Sequence, residues 1–148
     1  MDGDCRSPFS MTNVATPSPR RLLLVEDTKT DAYLLRRALE ESGIAVDARV
    51  IEDGEKALAY IDDLAPEECP HLVVIDLNIP RYDGLEVLKR CRSKPYLAGV
   101  IVVILTSSES LRDRKRAERL GVTAFLIKPM ELHEFLALGN TLGKFLKA

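Results

Sequence analysis

Three observations on this 148-residue sequence predict a doubly wound α/β sandwich of parallel strands. Short runs of Leu, Val and Ile recur at residues 22–25, 72–75, 100–105 and 125–127, each fitting a strand buried on both faces. Segments of helical periodicity separate them, and strands joined by helices run parallel. Each run also ends on a polar position: Glu26-Asp27, Asp76, Thr106 and Lys128. In a parallel sheet those ends share one edge, so three carboxylates, a hydroxyl and an ammonium are expected to converge on a single cleft.

The elements follow in order. A first helix is expected over residues 28–42, with Ala32, Leu35, Ala38 and Leu39 on one face and Gly43 as its stop. Residues 46–51 read as a strand, and Asp53 as the N-cap of a helix bearing Ala57, Leu58, Ile61, Leu64 and Ala65. Pro66 and Pro70 bracket the loop into the strand that ends at Asp76. Pro80 and Asp83-Gly84 mark a turn before a helix that points Leu85, Leu88 and Cys91 inward. After the strand ending at Thr106, Ser107 or Ser108 caps a fourth helix with a thin apolar face of Leu111, Ala117 and Leu120, ended by Gly121. A fifth strand over 122–127 precedes a last helix with Leu132, Phe135, Leu136, Leu142 and Leu146 inward.

Composition excludes several classes. Hydrophobic residues make up 46% and charged residues 30%, ordinary for a globular domain, and a net charge of -2 argues against bulk nucleic-acid binding or membrane adhesion. No apolar run approaches the roughly 20 residues that span a bilayer. Cys5, Cys69 and Cys91 form no close-spaced pair and His71 and His133 lie far apart, which disfavours a disulfide framework or a zinc site and fits a cytoplasmic location. Residues 1–19 carry Pro8, Pro17 and Pro19 among polar residues, without periodicity or a signal-like apolar stretch. They read as a disordered tail, and residues 20–148 as the single folded domain.

The clustered side chains point to phosphoryl chemistry. Crowded carboxylates repel and take up protons unless a cation neutralises them. An oxygen-only donor set favours Mg²⁺ over zinc. A carboxylate beside Mg²⁺ can attack an activated phosphoryl group and form an acyl phosphate. The charge spread over the equatorial oxygens then calls for donors such as Thr106 and Lys128. Neither GxGxxG nor GxxxxGK[ST] occurs, so nucleotide binding is disfavoured.

Four motifs stand in order: LLLVED at 22–27, VVIDLNIPRYDG at 73–84, VVILTSS at 102–108 and FLIKP at 125–129. By these, residues 21–148 resemble the receiver domain of two-component response regulators. The resemblance implies a flavodoxin-like sheet of order 2-1-3-4-5. It makes Asp76 the phosphoaccepting aspartate. Glu26 and Asp27 then hold Mg²⁺ directly or through water, together with Asp76 and the backbone carbonyl of Asn78. Thr106 and Lys128 match the hydroxyl and ammonium that contact the phosphoryl oxygens. Phe125 matches the aromatic switch position that turns inward as Thr106 moves, and a Phe there acts through packing. Pro129 matches a proline usually preceded by a cis bond that fixes the direction of Lys128. Ser107 keeps the small residue beside the site, and Asn78 and Ser108 stand where receivers tune phosphoryl lifetime.

The resemblance also implies partners. The phosphodonor is a sensor histidine kinase or a histidine phosphotransfer protein, and catalysis is limited to self-phosphorylation and autodephosphorylation. The residues after Pro129 suffice for one helix, so the expectation is a stand-alone receiver acting by protein contact. Thr28-Lys29-Thr30-Asp31 and the Pro-containing loop before His71 are similar to single-domain regulators paired with bacterial phytochrome kinases. The face of the fourth helix, fifth strand and fifth helix is the family's usual dimer surface. A homodimer is expected there, sensitive to charge reversal at Arg112 and Arg116. DNA binding through the basic fourth helix is disfavoured, since no recognition motif accompanies it.

Taken singly, an Asp at a strand end reads as a cap, and joint occurrence assigns Asp76 as the acceptor; for Phe125 a core residue stays the alternative to a switch. Two rivals remain. A phosphorylation-independent scaffold has no need of all five polar side chains. A small phosphatase with an Asp nucleophile usually carries a second Asp two residues on as general acid, where this chain has Asn78.

Overall fold

The computed structural model describes residues 18–147, so most of the expected tail lies outside the described residues. Strands β1 (Arg20–Val25), β2 (Val46–Ile51), β3 (Leu72–Ile75), β4 (Ile101–Thr106) and β5 (Ala124–Ile127) alternate with helices α1 (Lys29–Glu41), α2 (Gly54–Asp63), α3 (Gly84–Ser93), α4 (Leu111–Arg119) and α5 (Leu132–Lys147). The strands form one parallel sheet in the order β2-β1-β3-β4-β5, as expected.

Alternation along the three central strands splits the core in two. Leu23, Val25, Val73, Ile75, Val102 and Ile104 pack against α2, α3 and Ala117 of α4. Leu22, Leu24, Leu72, Val74, Val103 and Leu105 pack against α1 and α5 through Leu35, Leu39, Phe135, Leu138, Leu142 and Leu146. A strand covered on both faces must be apolar at every position, which is why these runs do not alternate in sequence.

Asp53 caps α2 as the sequence predicts, its carboxylate accepting from Lys56 N, and Asp83, read as part of a turn, caps α3 by accepting from Leu85 N and Glu86 N. The fourth helix departs from expectation. Its cap is Ser110, which accepts from Asp113 N, while Ser108 Oγ accepts from Ser110 N at 3.3 Å and donates to the Asp113 carboxylate. Leu111 is 63% exposed, which leaves Ala117 as its one buried residue. Strand β5 begins at Ala124 rather than Val122. The Val122 and Gly121 amides close the end of α4 on Ala117 O and Glu118 O, with Gly121 at φ +86° as that closure requires. As an edge strand β5 is only half buried. Leu132, expected inward, is 59% exposed, since the first turn of α5 overhangs the cleft at the carboxyl edge of the sheet.

One arginine ties two loops together. The Arg92 guanidinium donates to Gly121 O at 2.9 Å, Val100 O at 2.8 Å and Ala98 O at 3.2 Å. Replacing it by Met keeps the apolar stem and removes these donors. The expected loss is about 1–3 kcal/mol, read from a shifted denaturation midpoint.

Candidate functional site

Each polar residue at a strand end is held by its own backbone. The amides of Glu26, Asp76 and Lys128 donate to Ile51 O, Val25 O and Thr106 O at 2.9, 3.0 and 2.8 Å. The ladder thus extends one residue past β1, β3 and β5 and fixes where these side chains leave the sheet. Gly84 secures the other side of Asp76, since a Cβ there would lie 2.6 Å from the Asp76 carbonyl oxygen.

The side chains meet as the sequence predicts. Carboxylate oxygens of Glu26, Asp27 and Asp76 lie within 4.8 Å of one another. Lys128 Nζ donates to Glu26 Oε1 at 2.8 Å and to Asp76 Oδ2 at 2.8 Å. Its third partner, Asp31 Oδ2 at 2.7 Å, is not among the site residues that the sequence predicts. An acid in the first turn of a helix is what the helix dipole favours anyway, so nothing in the sequence marks Asp31 as part of the site.

Two amides orient the buried acids: Asn78 N donates to Asp76 Oδ1 at 3.0 Å and Thr28 N to Glu26 Oε2 at 3.1 Å. Thr106 Oγ1 accepts from Ser108 N at 3.2 Å and from Asn78 Nδ2 at 3.5 Å, which leaves its own proton to donate elsewhere. Every peptide bond among the described residues is trans, including the one before Pro129, contrary to the expected cis bond. The direction of Lys128 is set instead by its three carboxylates. Phe125 stands apart from the acids, half buried beneath α4, with the Arg114 guanidinium 5.7 Å from its ring centroid.

Charge is badly unbalanced here. Glu26 and Asp76 are 2% and 5% exposed, and with Asp27 and Asp31 they face a single ammonium. Burial pushes the Glu26 carboxyl above its ordinary range, partly offset by Lys128, with the Asp76 charge adding to the rise. Burial opposes the charge of Lys128, but hydrogen bonds to Asp31, Asp76 and Glu26 outweigh it and hold the ammonium above the usual lysine range. The acids open on a cleft of about 500 Å³, bordered by Asn78 and Ser107 and, across from them, by Pro129, Met130 and Leu132. A buried oxygen-only donor set short of positive charge fits a hard divalent cation.

Comparison with known proteins agrees. The response regulator receiver domain family matches residues 22–138. The chain is 32% identical over 138 residues to the response regulator Rcp1 of Synechocystis, covering 91% of this chain and 93% of that one. A Mn²⁺-bound structure of Rcp1 superposes with a TM-score of 0.77 over 86% of this chain and 94% of that one. The phosphorylated cyanobacterial phytochrome response regulator RcpA is 29% identical, with a TM-score of 0.81 over 88% of this chain and 96% of that one. The bacteriophytochrome response regulator AtBRR is 39% identical, with a TM-score of 0.66 over 86% and 94%. Among the described residues no helix is long and apolar enough to cross a membrane.

Proposed function

Because the chain belongs to the response regulator receiver family, we propose that Asp76 accepts a phosphoryl group from a histidine kinase or histidine phosphotransfer protein, and that the acyl phosphate controls protein contacts. The observation that carries this reading is the convergence of Lys128 Nζ on Glu26, Asp31 and Asp76 at the mouth of an open cleft. An Asp76 oxygen attacks phosphorus as the bond to the donor nitrogen breaks, and the imidazole leaves with that electron pair. Lys128 holds the Asp76 carboxylate in place and neutralises the incoming oxygens. The Thr106 hydroxyl donates its remaining proton to one of them.

Glu26, Asp27, Asp76 and the Asn78 carbonyl would hold Mg²⁺, which when bound supplies the charge that screens nucleophile from phosphoryl group. Catalysis is confined to the protein's own phosphorylation and dephosphorylation. Asn78, an amide, cannot take the proton of an attacking water as a second carboxylate would, so the adduct persists long enough to signal. The likeness to RcpA and AtBRR supports a cytoplasmic phytochrome-type kinase as donor. Exposed Leu111 and Ile127 on α4 and β5 support self-association through the α4, β5 and α5 face.

Intact mass with a small acyl-phosphate donor tests the chemistry. One phosphoryl adduct is expected, requiring Mg²⁺ and absent from Asp76→Asn. An adduct that survives in Asp76→Asn would overturn the assignment. A protein that takes up neither phosphate nor beryllofluoride would be a scaffold.

A further inference from the structure

Helix α4 carries Arg112, Arg114, Lys115, Arg116 and Arg119 in nine residues. Only Arg114 has a carboxylate partner among the described residues, Glu118 at 3.7 Å. Several cations elsewhere on the surface are neutralised, as in Arg37 with Glu41, Arg81 with Glu55, and Arg90 and Lys94 with Asp62. Within α4, Arg112 faces Arg116 and Lys115 faces Arg119 at i,i+4 spacing, and such like-charge neighbours weaken a helix. Arg112 also sits in the first turn, where the helix dipole repels a cation. The favourable dipole at the far end explains Arg116 and Arg119 at most. A helix anchored by one buried alanine thus carries self-repulsion that its fold does not need.

The cations border a built feature. Between α3 and α4 lies a groove of about 200 Å³ lined by Leu85, Glu86, Lys89, Arg116, Arg119 and Leu120. Two of its lining residues, Leu85 and Leu120, are apolar, and three of its four charges are positive. We propose that this α3/α4 groove docks an acidic protein segment that inserts an apolar side chain between Leu85 and Leu120 and places carboxylates against Lys89, Arg116 and Arg119. Glu86, the one anion on the rim, orients the segment and repels phosphate. No aromatic ring lines the groove for a base to stack on, and the net charge of -2 supplies no broad field for a polyanion. These features favour peptide over nucleic acid. The groove is already formed with Asp76 unphosphorylated, and it lies across α4 from the β5 side.

The probe is a labelled helical peptide with Glu and Leu on one face, followed by fluorescence anisotropy against the full chain. Its Glu→Gln counterpart and a DNA duplex serve as competitors. Arg116→Glu with Arg119→Glu is expected to weaken peptide binding by about tenfold or more. Arg37→Glu with Lys144→Glu, an equal charge change on the opposite helical layer, is expected to leave it within about twofold of the wild type. Circular dichroism checks that both variants stay folded. Absence of peptide binding, equal weakening by both pairs, or tighter binding of the duplex would each overturn the proposal.

Discussion

Gly139→Ala is expected to destabilise the protein by about 3 kcal/mol or more, while Gly143→Ala, one turn further along the same helix, changes stability by less than about 1 kcal/mol. In an exposed helix either substitution would be a gain of roughly 1 kcal/mol, since glycine is the poorer helix former. Packing reverses the sign at one site only. A Cβ on Gly139 would lie 2.3 Å from Ala38 O and 2.6 Å from Ala38 C, backbone atoms of α1 that cannot yield singly. Ala38 O also accepts the Ser42 amide that closes α1, so pushing it away opens that helix end. At Gly143 the closest atom is Ile44 Cδ1 at 2.7 Å, the tip of a side chain that can rotate. Denaturant unfolding of both variants measures the contrast. A Gly139→Ala protein as stable as the wild type would mean that α1 and α5 are less closely apposed than described.

The contrast shows what kind of information the sequence carried. The central strands were legible because burial on both faces demands unbroken apolar runs, and Leu72–Ile75 admits no other reading. Glu26, Asp76, Thr106 and Lys128 were legible because a parallel sheet turns positions at four strand ends into one site. What depended on a choice among equivalent local signals was not legible. Ser107, Ser108 and Ser110 are all competent caps, and the Asp113 amide falls to Ser110 while Ser108 Oγ accepts from Ser110 N instead. Val122 has the side chain of a strand residue, but its amide belongs to the turn that ends α4. Asp31 was invisible for the same reason, being explicable by its own helix. Close approach at Gly139 left no mark in sequence, where a glycine in a helix registers only as a poor helix former.

Lys128→Met is expected to lower stability at neutral pH by about 3 kcal/mol in the absence of divalent cation, and to lose less at acid pH. Removing the ammonium strands Glu26 and Asp76, both buried, beside Asp31, and a buried pair broken on one side costs far more than an exposed one. The pH dependence follows from the two shifts. Glu26 titrates higher in the folded chain than in the unfolded one, so its contribution is complete below the ordinary glutamate range and is lost as pH rises through the folded value. Lys128 is also raised, so its contribution holds below the ordinary lysine range and disappears only in strong alkali. Between acid and neutral pH the lysine is therefore constant, and the cation-free protein loses the proton that relieved Glu26. A divalent cation takes over that proton's role. Mg²⁺ at about one hundred times its dissociation constant should stabilise the fold by about 2.7 kcal/mol, or roughly 5–10 °C in Tm, with a smaller effect at acid pH where protons compete. Asp76→Asn removes one of the crowded charges and should raise the cation-free Tm while shrinking the Mg²⁺ response. Calorimetry across this pH range, with and without Mg²⁺, separates these cases. A Tm in Mg²⁺ that ignores both pH and Asp76 would show that the four acids are neutralised by Lys128 alone and hold no cation.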